Sequence, residues 1–147
     1  LNYIQKKLID INYHIYGSPK YLEKQGFPKT TSELNKHSFI SFGRGAPSPV
    51  YNPDWALKLG TKDNKKRKTV MKVNSVYGLL LAVQSGVGLA ALPDYITVNQ
   101  PNIVKVLPNI EGPITEAHFV YPQSMKNVAR VQAFRNFLYS KISEWEF

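Results

Sequence analysis

The stretch TVMKVNSVYGLLLAVQSGVGLAALP, residues 69–93, decides how the rest of the chain is read. Val70 and Val73 lie in a β-branched run that the polar pair Asn74-Ser75 ends. Ser75 is a residue type that caps helices, its oxygen accepting from an orphan backbone N–H. Val76, Leu80, Val83 and Val87 then share one helical face. Leu79, Leu81 and Ala82 carry apolar surface round most of the helix, as in a helix covered by its neighbours. Gly86 and Gly88 let the helix stop and turn at once. A short apolar run, residues 88–92, follows, and Pro93 closes it. The reading is strand, helix, strand: a βαβ unit with a locally parallel sheet.

The chain has 147 residues, about one domain's worth, and its 43% hydrophobic content supports a real core. No apolar run approaches the roughly 18 residues of a membrane span, so no membrane partner is expected. Without cysteine there are no disulfides, thiolate metal sites or Cys nucleophiles, which fits a reducing compartment. Leu1 stands where a start methionine would, so the sequence reads as a piece excised from a longer chain. The net charge is +9. Much of it lies in one segment: Lys62, Lys65, Lys66, Arg67, Lys68 and Lys72 face a single acid, Asp63, for a local net of +5. This segment follows Gly60 between two expected strands. It reads either as a solvated hairpin tip or as a contact for phosphate or an acidic partner.

Outward from the βαβ unit, residues 8–16 alternate through Ile9, Ile11, Tyr13 and Ile15 and read as one strand. Ser18 as N-cap and Pro19 at the first helical position start a short helix, ended by Gly26 and Pro28. Thr30 and Glu33 have the spacing of a capping box. Residues 38–43 read as a strand, 44–54 as a proline-rich loop, and 55–59 as a strand with Trp55, Leu57 and Leu59 on one face. One helical turn follows Pro93, then strands over 103–107 and 115–121. A long amphipathic helix spans 124–145, with Val128, Val131, Phe134, Leu138, Ile142 and Trp145 along its apolar side. The order is α/β, with an antiparallel portion around the basic hairpin.

Catalytic and metal chemistry find little support. His14, His37 and His118 lie far apart without metal-ligand spacing. Asp10, Asp54, Asp63 and Asp94 are scattered, and Glu144 and Glu146 sit at the C-terminus. No carboxylate pair suits general acid/base work, and no nucleophile elbow, P-loop, zincin or dinucleotide fingerprint occurs. Gly86-Val87-Gly88 closes a helix rather than opening one, so it offers no amides to a phosphate. Neither a cofactor nor a metal is implied, and the chain does not read as an enzyme.

The informative polar positions are junctions. Gly17-Ser18 and Asn74-Ser75 each end an expected strand and open a helix. In open α/β sheets ligands bind outside the carboxyl ends of strands, where helix N-termini present free amides. Ser18 and Ser75 are either N-caps alone or also hydrogen-bond a carboxylate or hydroxyl ligand.

Taken in order, these stretches resemble one family. Asn74-Ser75 with LLLAVQSGVGLAALP (residues 79–93) resembles the second half of the effector-binding domain of LysR-type transcriptional regulators. GSPKYLEKQG (17–26) resembles the segment after that family's crossover strand, and TTSELNKH (30–37) its element before the next strand. WALKL (55–59), IVKVLP (103–108), FVYP (119–122) and RVQAFRNFL (130–138) also fit. The resemblance implies a periplasmic-binding-protein-like bilobed α/β fold, with the second lobe complete and the first partial. Residues 1–15 would be the crossover strand from the first lobe, 16–112 the second lobe, and 113–147 the return strand and final helix of the first.

The resemblance implies a small, often anionic, effector bound between the lobes. It also implies DNA bound through a helix-turn-helix upstream of this sequence, a dimeric or tetrameric homo-oligomer, and a cytoplasmic location. The basic segment would then not be the DNA reader. Carried over by position, the effector site would comprise Tyr16, Gly17, Ser18, Phe42, Gly43, Arg44, Asn74, Ser75, Val76, Tyr77, Tyr121 and Pro122. Some members carry an acid after the junction Asn; Ser75 here replaces a negative charge with a hydroxyl donor. The polar helix start that the first lobe usually supplies is absent. The competing reading is a lobe of an extracytoplasmic solute-binding protein, which shares the bilobed architecture. A third, a free-standing basic nucleic-acid-binding domain, rests on charge alone and predicts steep salt dependence.

Overall fold

The computed structural model describes residues 2–43 and 52–145. The chain divides into two compact units, Leu1–Ile11 with Ile114–Phe147, and Asn12–Pro113.

In the larger unit, β2 (Tyr13–Gly17) is buried along its length and pairs antiparallel with both β5 (Ala90–Pro93) and β6 (Val104–Val106). β3 (Phe39–Phe42) and β4 (Thr69–Val73) pair in parallel. A parallel bridge between Phe39 and Leu89 joins β3 to the residue that opens β5. Leu89 donates to the Ser38 carbonyl at 2.9 Å, and Ile40 donates to the Leu89 carbonyl at 2.8 Å. The spatial order is therefore β4-β3-β5-β2-β6. α3 (Val76–Gln84) connects β4 to β5 across β3, so the opening stretch is the parallel βαβ unit that its pattern indicates.

Alternation along β2 sends successive side chains to opposite faces. Ile15 joins Leu22, Leu34, Phe39, Leu57 and Leu89 on the side of α1 (Pro19–Gln25) and α2 (Trp55–Lys58). Tyr16 joins Ile40, Leu79, Leu80, Val83 and Leu92 on the α3 side. The two glycines after α3 act differently. Gly86 sits at φ 80°, in the left-handed region that ends helices cheaply only without a Cβ. At Gly88 an added Cβ would lie 2.5 Å from the Ser38 carbonyl oxygen, so the residue is small because β3 passes against it.

In the smaller unit, β1 (Tyr3–Ile11) pairs antiparallel with β7 (Thr115–Pro122). α4 (Ala129–Ser143) packs the Phe134 ring edge-on to Phe119 at 5.8 Å, and Tyr139 Oη donates to the Lys7 carbonyl at 2.9 Å.

Several local expectations are corrected. Residues 8–16 are not one strand: Asn12 separates β1 from β2, because the two take different partners in different units. The expected strand over 55–59 is the helical turn α2; Leu57 N bonds Asp54 O at 3.0 Å, Leu59 N bonds Trp55 O at 3.1 Å, and neighbours Ala56 and Leu57 are both buried. The basic segment is consequently no hairpin. It links α2 to β4, whose partner is parallel β3, and the antiparallel pairs lie at β1–β7, β2–β5 and β2–β6. The Thr30–Glu33 capping box does not form: Glu33 accepts from Lys29 N at 2.7 Å, and Thr30 pairs with the Ser32 hydroxyl before a 3₁₀ helix, Ser32–Lys36. The last helix is shorter than expected, a 3₁₀ turn Gln123–Met125 preceding it.

Candidate functional site

Two of the expected junctions meet. β3 and β4 run in parallel, with Phe42 opposite Val73, so both carboxyl ends reach the same sheet edge. There Gly43 N donates to the Val73 carbonyl at 2.8 Å, bringing Phe42-Gly43 beside Asn74. Ser75 has extended φ/ψ and its Oγ accepts from Gly78 N at 3.3 Å, so it caps α3 as expected. The cap still faces solvent: Asn74, Ser75 and Tyr77 are exposed. Only one of the α3 N-terminal amides is taken by the cap, so the helix start presents donors and a positive dipole end toward that edge.

Ser18 is also a cap, its Oγ accepting from Tyr21 N at 3.3 Å. It differs in two respects. It is 1% exposed, so its hydroxyl is not presented to a ligand. It also lies at the opposite sheet edge from Ser75. β2 is antiparallel to β5, with Tyr13 opposite Pro93 and Tyr16 opposite Ala90. Its carboxyl end therefore sits where β3 and β5 begin, Gly17 packing against Leu22 and Leu89. The structure thus does not bring Tyr16, Gly17 and Ser18 together with Phe42, Gly43, Asn74, Ser75, Val76 and Tyr77. The start of β2 reaches that edge instead. Tyr13 lines a cavity of about 30 Å³ with Phe42, Trp55, Val76, Leu79 and Pro93, room for about a water molecule. A larger concavity of about 550 Å³ lies beside it, lined by Phe42, Gly43 and the basic side chains Lys66, Lys68 and Lys72. That volume falls in the range of small-molecule sites. Tyr121 and Pro122 belong to the smaller unit, Tyr121 buried against Phe119 at 5.4 Å. Arg44 lies outside the described residues.

The side chain of Tyr16 belongs to a buried network that the sequence did not disclose. Its Oη donates to Asp94 Oδ1 at 2.8 Å and accepts from Thr97 Oγ1 at 3.1 Å. His14 Nδ1 lies 2.9 Å from both Asp94 oxygens, and Lys105 Nζ lies 3.0 Å from Oδ2. Burial pushes the Tyr16 phenol well above its ordinary value; the Thr97 hydroxyl opposes that rise and Asp94 adds to it. The phenol stays a neutral donor, and Asp94 is satisfied from three sides. The group ties β2 to β6 and to the 3₁₀ turn Asp94–Ile96. His14 and Asp94 are 80 residues apart, and no spacing rule links them. Among the described residues no group of three His, Cys, Asp or Glu is placed to hold a metal ion, and no helix is long and apolar enough to cross a membrane.

Comparisons agree with this architecture. The profile of the LysR substrate binding domain matches residues 2–142. An uncharacterized HTH-type transcriptional regulator of Haemophilus influenzae is 29% identical over 123 residues, which cover 81% of this chain and 41% of that protein. The CrgA regulatory domain of Neisseria meningitidis, a LysR-type transcriptional regulator, superposes with a TM-score of 0.78 at 23% identity, over 95% of this chain and 69% of that one. Full-length CrgA gives 0.79 at 22% identity, over 97% and 48%. The chain therefore spans less than half of the curated relative it matches. With the profile covering nearly its whole length and the same mixed α/β fold in CrgA, the chain belongs to the LysR substrate binding domain family.

Proposed function

We propose that this chain is the effector-sensing part of a LysR-type transcriptional regulator. It takes a small anionic metabolite at the edge formed by Tyr13, Phe42, Gly43, Asn74, Ser75 and Val76. The observation that carries the reading is the convergence of two parallel strand ends on a solvent-facing, Ser75-capped helix start. Free amides and a hydroxyl donor there suit a carboxylate. The chain is a sensor without catalysis of its own. The larger unit serves as the second lobe and the smaller as part of the first. DNA is bound by a helix-turn-helix outside this sequence, in a cytoplasmic homo-oligomer. The family match favours this over the solute-binding-protein alternative.

The test uses the full-length regulator and a panel of small mono- and dicarboxylates, read by calorimetry. Ser75→Ala removes a donor to an ionised ligand, about 1.5–3 kcal/mol, and weakens binding roughly 10-fold or more. Ser18→Ala removes the same kind of cap, costs ~1 kcal/mol of stability, and leaves affinity unchanged. Equal affinity in wild type and Ser75→Ala sinks the site; a loss with Ser18→Ala alone moves it to the other sheet edge.

A further inference from the structure

The sequence leaves the basic segment as either a solvated hairpin tip or a contact for phosphate or an acidic partner, and the structure shows how it is held. Arg67 is spent on holding it in place. Its guanidinium donates to Asn35 Oδ1 at 2.9 Å, to the Ala56 carbonyl at 3.1 Å and to the Thr31 carbonyl at 3.2 Å, and lies 5.6 Å from the Phe39 ring centre. Arg67 N donates to the Leu57 carbonyl at 2.9 Å, and Lys66 pairs with Asp54. The other four cations, Lys62, Lys65, Lys68 and Lys72, are exposed and have no ion-pair partner among the described residues. A charge run that only solubilises a loop needs no such anchoring. Here two cations fix the backbone and four are displayed along it.

We propose that Lys62, Lys65, Lys68 and Lys72 form an auxiliary face for the phosphate backbone of duplex DNA, separate from any helix-turn-helix. The chemistry favours duplex phosphate over other polyanions. Lysine is a point charge that contacts phosphates without reading sequence. The segment KDNKKRK, residues 62–68, contains no aromatic side chain, so it offers no platform on which single-stranded bases could stack. It contains no aliphatic side chain either; on β4 Val70 and Met71 are exposed beside Lys72, two apolar residues against four lysines, whereas protein interfaces centre on apolar or aromatic anchors and are depleted in lysine. The concavity beside it, lined by Lys66, Lys68, Lys72, Ser41, Thr69 and the carboxylate of Asp54 that pairs with Lys66, gives a phosphate room to approach Lys68 and Lys72. The face adds non-specific affinity and makes DNA binding more sensitive to salt than the helix-turn-helix alone.

This inference rests on the reading that the whole protein binds duplex DNA, and one experiment separates the two. Full-length wild type and the Lys62/Lys65/Lys68/Lys72→Gln variant are titrated with a random-sequence duplex several helical turns long, across a range of salt concentrations. Each lost phosphate contact lowers the slope of log K against log salt by ~0.9. The variant's slope is therefore shallower by about 3 to 4, while circular dichroism and thermal melting match wild type. Replacement of the same four residues by Arg restores the slope. An unchanged slope in the folded Gln variant overturns the face and leaves the regulator reading intact, including where the variant loses affinity for an acidic protein. No binding of wild type at low salt overturns both. Should the fourfold variant misfold, Lys65→Gln and Lys68→Gln alone each carry the same test, with an expected slope change of ~0.9.

Discussion

Gly88→Ala tests the packing at the centre of the fold. The added methyl carbon would lie 2.5 Å from the Ser38 carbonyl oxygen and 3.0 Å from its carbonyl carbon, both backbone atoms with no flexible end to yield. Ordinary carbon–oxygen contacts begin near 3.3 Å, so β3 and the start of β5 must part by roughly 0.8 Å. That movement acts on the Leu89–Ser38 hydrogen bond, now 2.9 Å, and stretches it past useful length. Losing a buried backbone pair costs about 1–3 kcal/mol and overpacking about 1–3. The alanine returns up to ~1 kcal/mol by restricting the unfolded chain. The net expectation is a loss of about 1–5 kcal/mol, read by urea unfolding with m unchanged. Gly86→Ala is the internal comparison. Its Cβ would meet only Ser18 Oγ, at 3.5 Å, so left-handed backbone strain of ~1–2 kcal/mol is the whole effect. A Gly88→Ala protein within ~0.5 kcal/mol of wild type, or less perturbed than Gly86→Ala, would refute the close-approach argument.

Other perturbations follow from the buried polar groups. Asp94→Ala leaves His14 and Tyr16 without their acceptor and should destabilise by about 3–5 kcal/mol; Lys105 adds little because it reaches solvent. Asp94→Asn keeps one acceptor and should lose clearly less by chemical denaturation. Arg67→Met frees the Ala56 and Thr31 carbonyls and the Asn35 side-chain oxygen and should cost about 2–4 kcal/mol, while Lys65→Met, at an exposed lysine, stays within ~0.5 kcal/mol. His37 is held below the ordinary imidazole value chiefly by burial, with Glu33 opposing. The unfolded chain then binds more protons, so His37 contributes stability above its unfolded value near 6.5 that is lost as pH falls through the folded value. His37→Gln should flatten that part of the stability–pH profile; an unchanged profile would remove His37 as its source.

Local signals were legible where one physical cause dominates. Ser18 and Ser75 cap because a serine hydroxyl in extended backbone just before a helix reaches an early amide. The βαβ unit was readable because a β-branched run, one helical face and a short apolar run follow one another within 25 residues, separated by Asn74-Ser75 and Gly86. The errors share a different cause. WALKL alternates like a strand, yet its intervening Ala56 is buried too, and burial on both sides of a four-residue turn is invisible to a period-two template. Residues 8–16 alternate loosely through Ile9, Ile11, Tyr13 and Ile15, but a strand is defined by its partners. β7 and β5 lie more than a hundred and nearly eighty residues away, respectively, from the halves they claim.

The site illustrates the same limit more sharply. Gly17-Ser18 and Asn74-Ser75 are equivalent as sequence: a strand, a small or polar residue, a capping serine, a helix. The rule that ligands gather at carboxyl strand ends holds for strands that run in the same direction. β3 and β4 run together; β2 runs against β5. Reversing one strand exchanges its ends, so Tyr13 takes the position at the shared edge that the sequence assigned to Ser18. No feature of YHIYG encodes that direction. It follows from the chain entering the larger unit at Asn12, where Asp94 N donates to the Asn12 carbonyl at 2.9 Å and places the start of β2 beside the end of β5. The Asp94 network makes the orientation costly to alter. In the reverse orientation His14 and Tyr16 would lose the carboxylate that satisfies them at 2.9 and 2.8 Å. Strand direction, and with it which of the two capping serines reaches the edge where β3 and β4 end, is thus fixed by a contact 80 residues away in sequence.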